Sequence, residues 1–278
     1  AGGGCLFLLD ALSKSQMQYV PCHHEQAAAM AAEGYARART DYGLAIVTSG
    51  PGGTNAVTGV AGAWMDHVPT ITISGQAFLS QTTHQHRGPR TLGVQEINIV
   101  DLVAPVTKYA VMVTDAKQIR VHLDMACFFA KDGRPGPVWI DIPADIQNAQ
   151  VEPQDLKAWV PNEQAACSLD LTVVVELLRG AKRPLVHVGH GVRLGGCIPE
   201  FFDFIESTGI PFVTARNAND FCASDHPQFV GRPGTFGQRG ANFAVQSCDM
   251  YLAIGTRLGL AQTGYNPKDY ARGATIIM

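Results

Sequence analysis

Nearly continuous apolar segments separated by helical segments constrain the fold of this chain more than any other feature. The segments Gly43–Val47 (GLAIV), Thr70–Ser74 (TITIS) and Val138–Ile142 (VWIDI) are apolar along most of their length. Strands that are apolar on both faces are typical of a parallel sheet with helices packed on both sides. We therefore predict an α/β fold built from doubly wound parallel sheets.

The same alternation of helices and strands occurs twice along the chain. Between residues 149 and 168 it stops in a stretch that contains Gln, Pro and Asn, which favours a linker. We therefore predict two domains, 1–148 and 169–278, joined by a linker over 149–168. The predicted helices are Gln26–Arg39, Thr54–Asp66, Asp115–Lys131, Leu169–Gly180 and Ile198–Thr208. The further predicted strands are Gln18–Pro21, Pro184–Val188, Ile210–Thr214, Met250–Ile254 and Ala274–Met278.

Composition and charge exclude several kinds of protein. Hydrophobic residues make up 46% of the 278 residues and charged residues 16%, whereas an ordinary globular chain has about 25% charged residues. Such a chain is not disordered, coiled or collagen-like. The net charge of −3 offers no basic surface for nucleic acid. No apolar run approaches the roughly 18 residues of a membrane-spanning helix, so we expect no membrane association.

The cysteines and the chain ends bear on where the protein works and how much of it is present. The seven cysteines are dispersed and form no C-x-x-C pair, which favours reduced thiols and a cytoplasmic protein. The chain begins at Ala1 without a Met and ends within the apolar run Ala274–Met278. We therefore expect a piece of a longer protein.

Glu25 is the first candidate functional residue, because it opens the Ala-rich helical segment Gln26–Ala32. A carboxylate in a first helical turn has an ordinary explanation, since it complements the helix dipole by about 0.3–1 kcal/mol. The small apolar residues around Glu25 favour a second interpretation. In that interpretation, desolvation raises the pKa of Glu25, as suits a group that transfers protons.

The loop Thr48–Gly53 (TSGPGG) is the second candidate, because it connects a strand to a helix. Glycines in such a loop allow backbone N–H groups to approach a ligand at the helix N-terminus. A tight turn without a ligand explains the same residues equally well. The loop is not a Walker loop, since no Gly-Lys-Ser/Thr follows, and Ser49 is not flanked as in a nucleophile elbow.

The residues of these segments, and the order of the segments along the chain, resemble those of one enzyme family. HHEQAAAMAAEGYARA, VTSGPGGTNAVTGVAGAWMDHVP and ISGQ, all within residues 19–76, closely resemble the pyrimidine-binding domain of thiamine-diphosphate enzymes in the acetolactate synthase group. The opening GGGCLFLLDAL, Thr107–Tyr109 and Gly133–Val138 are similar to that group as well. The resemblance extends over essentially the whole chain. It implies a pyrimidine-binding domain without its first strand, followed by an incomplete Rossmann-like central domain.

The resemblance also implies roles for individual residues. Glu25 is implied to hydrogen-bond N1′ of the cofactor's aminopyrimidine and to support the proton exchange that activates the cofactor. Gln95, in GVQE, matches a glutamine near cofactor and substrate. The implied activity is decarboxylation of a 2-oxo acid such as pyruvate, with transfer of the two-carbon unit to a carbonyl acceptor. The other residues implied to bind the cofactor are Gly3, Gly4, Pro51, Gly52 and Asn55.

Two residues depart from the pattern of acetolactate synthases. Val94 stands where those synthases usually carry Phe, and Ala144 stands where they usually carry Lys. Both positions shape the substrate region in that group, which argues against acetolactate synthase itself. The run GVQEINIVDLVAPVTKYAV is more similar to acetolactate-synthase-like proteins associated with bacterial surface-polysaccharide sugars. That similarity implies a keto-sugar or a related acceptor.

The second domain resembles the central domain of this family. In some relatives that domain binds an FAD that takes no part in redox chemistry. In other relatives it is empty or binds another nucleotide. Gly189 and Gly191 follow a predicted strand, as glycines that cradle a diphosphate do, and Arg134, Gly234 and Arg257 are expected to assist. No acidic residue follows the next strand, which argues against NAD. A Rossmann-like spacer without a ligand explains the domain equally well.

The family binds the diphosphate and its Mg²⁺ with a third domain that carries Gly-Asp-Gly and a later Asn-Asn. This sequence contains no Gly-Asp-Gly, so we predict no metal site in this chain and no carboligase activity for the chain alone. The family's cofactor sites lie between subunits, which implies a homodimer or homotetramer. Two alternatives stay open: a thiamine-diphosphate-dependent decarboxylase and a non-catalytic truncated relative.

Overall fold

Two parallel β-sheets, one in each of two units, form the frame of the structure. The computed structural model describes residues 1–86, 88–162 and 169–278, and it divides into the units Ala1–Gln164 and Ala165–Met278. The strand pairs within the described residues are parallel in both units. The predicted α/β fold with two parallel-sheet domains is confirmed.

Strands and helices alternate along the first unit. The strand order β1-β2-β4-β3 places β2 and β4 in the middle of the sheet, where every residue of both strands is buried. In chain order the elements are α1 (Leu6–Lys14), α2 (Glu25–Arg39), β1 (Gly43–Val47), α3 (Pro51–Asp66), β2 (Thr70–Gln76), α4 (Ile99–Val103), β3 (Tyr109–Met112), α5 (Ile119–Lys131), β4 (Val138–Pro143) and α6 (Ala144–Gln147). Short 3-10 turns lie at Gly3–Cys5, Leu79–Gln81, Ala104–Val106, Ala116–Gln118 and Pro153–Asp155.

Apolar side chains cover the first sheet on both faces. On one face, Trp139 and Ile99 belong to a cluster that includes buried residues of α2, α3 and α4. On the other face, Ile71 and Ile140 pack with Ala126 of α5. Burial on both faces explains why the strands read as continuous apolar runs rather than alternating ones.

The second unit repeats this arrangement around its own sheet, with strand order β7-β6-β5-β8-β9. Its elements are α7 (Thr172–Gly180), β5 (Pro184–Val188), α8 (Gly191–Leu194), α9 (Ile198–Thr208), β6 (Phe212–Thr214), β7 (Phe229–Gly231), α10 (Arg239–Ser247), β8 (Met250–Ile254), α11 (Leu260–Thr263) and β9 (Thr275–Ile277). Two apolar clusters pack against this sheet, one with α9 and one with α10. Across both units, no helix of the described residues is long and apolar enough to cross a membrane.

Several predicted elements have the observed bounds, one predicted strand is wrong, and two observed strands were not predicted. Gly43–Val47, Pro184–Val188, Ile198–Thr208 and Met250–Ile254 are observed as predicted. The predicted strand Gln18–Pro21 is wrong: these residues are exposed, and none of the described strands pairs with them. A strand persists only where a neighbour satisfies its backbone groups. The strands β3 and β7 were missed: β3 is apolar but only four residues long, and β7 has only three residues.

The segment after α6 follows the first unit for part of its length. Trp159 packs edge-on against Phe128 and also contacts Phe129, both on α5, and its backbone N–H donates to Asp124 at 2.9 Å. Residues 163–168 of the predicted linker lie outside the described residues. The interpretation of 149–168 as a linker stays a prediction.

Helices α2 and α3 approach each other closely, and a glycine makes this approach possible. A Cβ added to Gly59 on α3 would lie 2.6 Å from the Cβ of Ala29 and 3.0 Å from the backbone N of Met30 on α2. Contacts this short do not occur between real Cβ atoms, so any larger residue would push the helices apart. The small residues of AAAMAA and TGVAGA therefore set the distance between the two helices.

We expect Gly59→Ala to destabilise the first unit by about 1–3 kcal/mol, because the added methyl group collides with the backbone of α2. Gly62→Ala on the same helix is the matched control, since its Cβ would meet only the flexible end of Glu33, at 3.4 Å. The control should be neutral or gain about 0.5–1 kcal/mol from better helix propensity. Urea unfolding of both variants measures the difference, and equal stabilities would contradict the packing argument.

Candidate functional site

Glu25 lies at the first residue of α2, next to the start of α3. The helix begins there because the Nδ1 atom of His24 accepts a hydrogen bond from the backbone N–H of Gln26, at 3.1 Å. The Glu25 side chain is half-buried, and its Oε2 atom accepts a hydrogen bond from Asn55 Nδ2 at 3.1 Å. Two residues thirty positions apart are thus joined where the two helices start.

The predicted rise in the pKa of Glu25 is wrong for this chain. The hydrogen bond from Asn55 lowers the pKa of Glu25 below its ordinary value, and this effect outweighs desolvation, which acts in the opposite direction. A donor that points at a carboxylate stabilises its charged form. The side chain is only half-buried, so desolvation is small. Glu25 is therefore an ionised hydrogen-bond acceptor here.

Gly52 allows the first turn of α3 to pack closely against Thr48, beside the Glu25 carboxylate. A Cβ at Gly52 would lie 2.5 Å from Thr48 Cγ2 and 3.5 Å from Glu25 Oε1. A side chain at this position would therefore collide with Thr48, so glycine is required for this close packing. Pro51 occupies the first position of α3 directly before it, where its missing N–H costs nothing.

The backbone of Gln95 contacts the glycine loop at Gly50. Gln95 and Gly50 both have positive φ, at 59° and 55°. A Cβ at Gly50 would run into the carbonyl oxygen of Gln95, so only glycine permits this contact. A non-glycine residue in the left-handed region is uncommon and occurs often at functional sites. The Gln95 side chain itself is exposed.

The glycine turn Gly3–Cys5 packs beneath the same loop. A Cβ at Gly4 would lie 2.7 Å from Ser49 Oγ, and the carbonyl oxygen of Gly4 accepts a hydrogen bond from Gln147 Nε2 at 2.7 Å. No atom lies within 4 Å of a Cβ built on Gly3, which leaves open space at that residue. The structure thus gathers Gly4, Glu25, Gly52 and Asn55 around one loop, with Gln95 at its edge.

A buried polar network beneath this loop was missed by the sequence analysis. The Asp141 side chain is fully buried on the central strand β4 and accepts hydrogen bonds from Ser74 Oγ at 2.5 Å and Gln76 Nε2 at 3.0 Å. Ser74 Oγ in turn accepts a hydrogen bond from Trp139 Nε1 at 2.8 Å. The sequence does indicate this network through the single acidic residue inside the apolar run VWIDI, because a buried acidic residue is rare without a specific role.

Burial raises the pKa of Asp141 to about 7, and the charge of Glu96 adds to this rise, whereas the hydrogen bonds from Ser74 and Gln76 oppose it. Glu96 itself is ionised. Burial tends to raise its pKa, but hydrogen bonds from Thr83 and Leu92 bring it below the ordinary value. Asp141 therefore changes its charge near neutral pH, within the folded protein.

We expect Asp141 to make the first unit less stable as the pH rises from about 4 to 7. The unfolded carboxyl has a pKa of about 3.9, so in this range the folded state holds a proton that the unfolded state has lost. The slope should be up to about 1.4 kcal/mol per pH unit and should flatten above the folded pKa. Urea unfolding at several pH values measures it, and Asp141→Asn should remove the slope. The same slope in both proteins would contradict this assignment.

Asn55→Leu should raise the pKa of Glu25, because it removes the N–H donor that stabilises the charged carboxylate. The titration can be followed by NMR of ¹³C-labelled glutamate carboxyl groups. Thr54→Ala is the control, since Thr54 Oγ1 bonds the carbonyl of Pro51 and not Glu25. If Glu25 titrates identically in all three proteins, the hydrogen bond is not the cause of its low pKa.

The candidate nucleotide residues of the second unit are held by packing. Cβ atoms at Gly189 and Gly191 would collide with the backbone of Gly255, so both glycines are required for the approach of two chain segments. Gly234 has φ 134° and is held by Asn242, which both accepts from its N–H and donates to its carbonyl oxygen. Arg257 is an exposed residue of this unit. Arg134 is an exposed residue of the first unit, so its nucleotide role stays a prediction.

A second buried polar network lies in this unit. The ring of His187 is fully buried, with Nδ1 against the hydroxyl of Tyr251 and Nε2 against Gln262, while the Tyr251 hydroxyl meets that of Tyr270 at 2.5 Å. Burial lowers the pKa of His187 to about 3, so this histidine is neutral. Among the described residues, no group of His, Cys, Asp or Glu could hold a metal ion.

Two family models match the chain, and each falls within one of its units. The N-terminal TPP binding domain of thiamine pyrophosphate enzymes matches residues 1–101, and the central domain of the same enzymes matches residues 171–278. The chain belongs to the thiamine pyrophosphate enzymes. Thiamine pyrophosphate is another name for thiamine diphosphate, so the family predicted from the motifs is confirmed.

Curated relatives of this thiamine pyrophosphate enzyme chain are acetolactate synthase large subunits. The isozyme 2 large subunit of Escherichia coli (strain K12) is 35% identical over 269 residues, which cover 95% of this chain and 47% of that protein. The large subunit of Corynebacterium glutamicum is 38% identical over 272 residues, covering 95% and 42%. That of Lactococcus lactis is 32% identical over 283 residues, covering 99% and 47%. The chain spans about half the length of the curated relatives it matches.

Proposed function

We propose that this chain is part of a thiamine-diphosphate-dependent carboligase, a transferase or lyase that decarboxylates a 2-oxo acid such as pyruvate. The two-carbon unit is then transferred to a carbonyl acceptor. The observation that carries the proposal is the Glu25 carboxylate at the start of α2, held by Asn55 beside the glycine loop. The similarity to acetolactate synthase large subunits supports the same chemistry.

The donor set around Glu25 suits an aminopyrimidine. One carboxylate oxygen is held by Asn55, and the side chain is only half-buried, so an N–H or a protonated ring nitrogen of a ligand can donate to the carboxylate. The low pKa keeps Glu25 ready to accept that bond. Thiamine diphosphate supplies, when bound, a carbon nucleophile and an acceptor for the electrons released on loss of CO₂.

The roles of the other residues follow from their positions. Gly3, Gly4 and Pro51 are assigned to the cofactor-binding surface, since Gly4 packs against Ser49 of the glycine loop and Pro51 opens α3. Gln95 contacts the same loop at Gly50, where substrate would approach. Val94, beside Gln95, is 89% exposed, so it is available to contact a bound acceptor. Val94 in place of Phe and Ala144 in place of Lys favour an acceptor other than that of acetolactate synthase, such as a keto-sugar.

The wider parts of the proposal depend on the family resemblance. They are Mg²⁺ held by a further domain, FAD in the second unit, a homodimer or homotetramer, and a cytoplasmic location. Each of these depends on groups or surfaces that the Glu25 site alone does not supply.

In the full-length protein that contains this chain, we expect Glu25→Gln to reduce turnover by about 10²-fold or more, because the neutral amide stabilises a protonated ring nitrogen of the cofactor less than the charged carboxylate does. Glu33→Gln on the same helix is the matched control. Glu33 pairs with Arg37 and not with the site, so its loss should leave turnover unchanged. The assay measures CO₂ release from pyruvate with thiamine diphosphate and Mg²⁺.

Product analysis with and without an added aldehyde or ketone separates the two catalytic alternatives. A ligated product supports the carboligase, whereas free aldehyde in the presence of acceptor supports a decarboxylase. Unchanged turnover in Glu25→Gln would contradict the role of Glu25. A full-length protein that neither binds thiamine diphosphate nor consumes pyruvate would support the non-catalytic relative.

A further inference from the structure

The network around Asp141 links two segments that border the candidate cofactor site. Asp141 sits opposite Ser74 in the register of β2 and β4, at the centre of the sheet. Its two carboxylate oxygens bind different partners: Oδ1 accepts from Ser74 and Oδ2 accepts from Gln76. Each partner leads to a different loop, so one carboxylate connects both.

The first connection leads to the start of α3. Ser74 accepts a hydrogen bond from the Trp139 indole N–H, which holds the indole in place. A Cβ at Gly53 would lie 3.3 Å from Ile99 and 3.7 Å from Trp139 Cζ2, so the first turn of α3 rests on these two side chains. Asn55, which holds Glu25, follows two residues later on the same turn.

The second connection leads to the segment that carries Gln95. Gln76 Nε2 donates to Asp141 and also to the backbone carbonyl of Ile97, at 2.9 Å. The side-chain oxygen Oε1 of Gln76 accepts a hydrogen bond from the backbone N–H of Ala77 at 3.0 Å, so the side-chain amide is held at both of its ends. Ile97 lies two residues after Gln95, whose carbonyl oxygen packs against Gly50.

We propose that Asp141 is a positioning residue of the thiamine diphosphate site, which fixes the segment 95–99 and the first turn of α3 relative to each other through Gln76 and Ser74. This role rests on the proposed function, because the site itself is part of that proposal. Asp141 acts through its neighbours and does not touch the cofactor. A carboxylate suits the role, since it accepts from two donors at once without competing with either.

The side chains that face Asp141 explain why asparagine would not replace it. Ser74 and Gln76 both donate to it from β2, Trp139 donates to Ser74 from β4, and the charged group acting on it is Glu96. The side chain of asparagine has one acceptor oxygen and one donor NH₂ group. Either Ser74 or Gln76 would therefore face that NH₂ group and lose its acceptor. A buried donor left unpaired in this way disturbs the segment attached to it.

The test compares hydrogen exchange and cofactor affinity in the full-length protein with Asp141→Asn. Exchange is measured by mass spectrometry on peptides that cover residues 50–55 and 95–99, with helix 119–131 on the opposite face of the sheet as the internal reference. Calorimetry measures the affinity for thiamine diphosphate in the presence of Mg²⁺. We expect faster exchange in both peptides, unchanged exchange in the reference and about tenfold weaker affinity.

Two further variants separate the two connections, and they also serve if Asp141→Asn fails to fold. Gln76→Met should accelerate exchange in 95–99 only, and Ser74→Ala in 50–55 only. Thr70→Val is the matched control, because Thr70 Oγ1 is buried on the same strand and has no hydrogen-bond partner among the described residues. The control should leave both exchange and affinity unchanged.

The outcomes distinguish this inference from the proposed function. Unchanged exchange and affinity in Asp141→Asn would overturn the positioning role, and so would an equal acceleration in helix 119–131, which indicates a general loss of stability. A wild-type protein that binds no thiamine diphosphate would instead overturn the proposed function and the inference with it. Selective acceleration in the two peptides together with weaker binding supports both.

Discussion

The close approach of α2 and α3 is the constraint on which the candidate site depends. Gly59 allows the backbone of α3 to lie against Ala29, so the two helices run together along one face of the sheet. Glu25 and Asn55 stand at the starts of these helices, and they meet at hydrogen-bond distance only because the helices are so close. The Ala- and Gly-rich composition thus has a geometric consequence, since it determines the position of the Glu25 carboxylate.

The first sheet contains a buried carboxyl group whose desolvation costs free energy, and packing alone does not explain its presence. A carboxylate at the centre of a parallel sheet loses its hydration, and burial raises the pKa of Asp141 to about 7. An apolar residue would fill the same place without that cost. The hydrogen bonds to Ser74 and Gln76 offset part of it, and they lead to the loops around the candidate site. Retention of a carboxyl group there is consistent with a positioning role.

Glycines that follow a strand have a packing role in both units. In the first unit, a Cβ at Gly52 would lie 2.5 Å from Thr48 Cγ2. In the second unit, Gly189 and Gly191 face the backbone of Gly255, and packing of two chain segments accounts for them without a ligand. The two loops differ in the Glu25 carboxylate, which Asn55 holds at 3.1 Å beside the first of them. Coordinates, rather than the spacing of glycines, show this difference.

The sequence by itself determined the fold class and the family and predicted the segments of the candidate site, because continuous apolar strands and local motifs such as TSGPGG depend on neighbouring residues. It also indicated Glu25 and the loop beside it. Only the tertiary structure decided that Asn55 lowers the pKa of Glu25, that Gln18–Pro21 forms no strand, and that Asp141 joins two loops. These properties depend on residues brought together from distant positions. A pKa or a strand pairing is decided by such neighbours in space, which local sequence patterns do not encode.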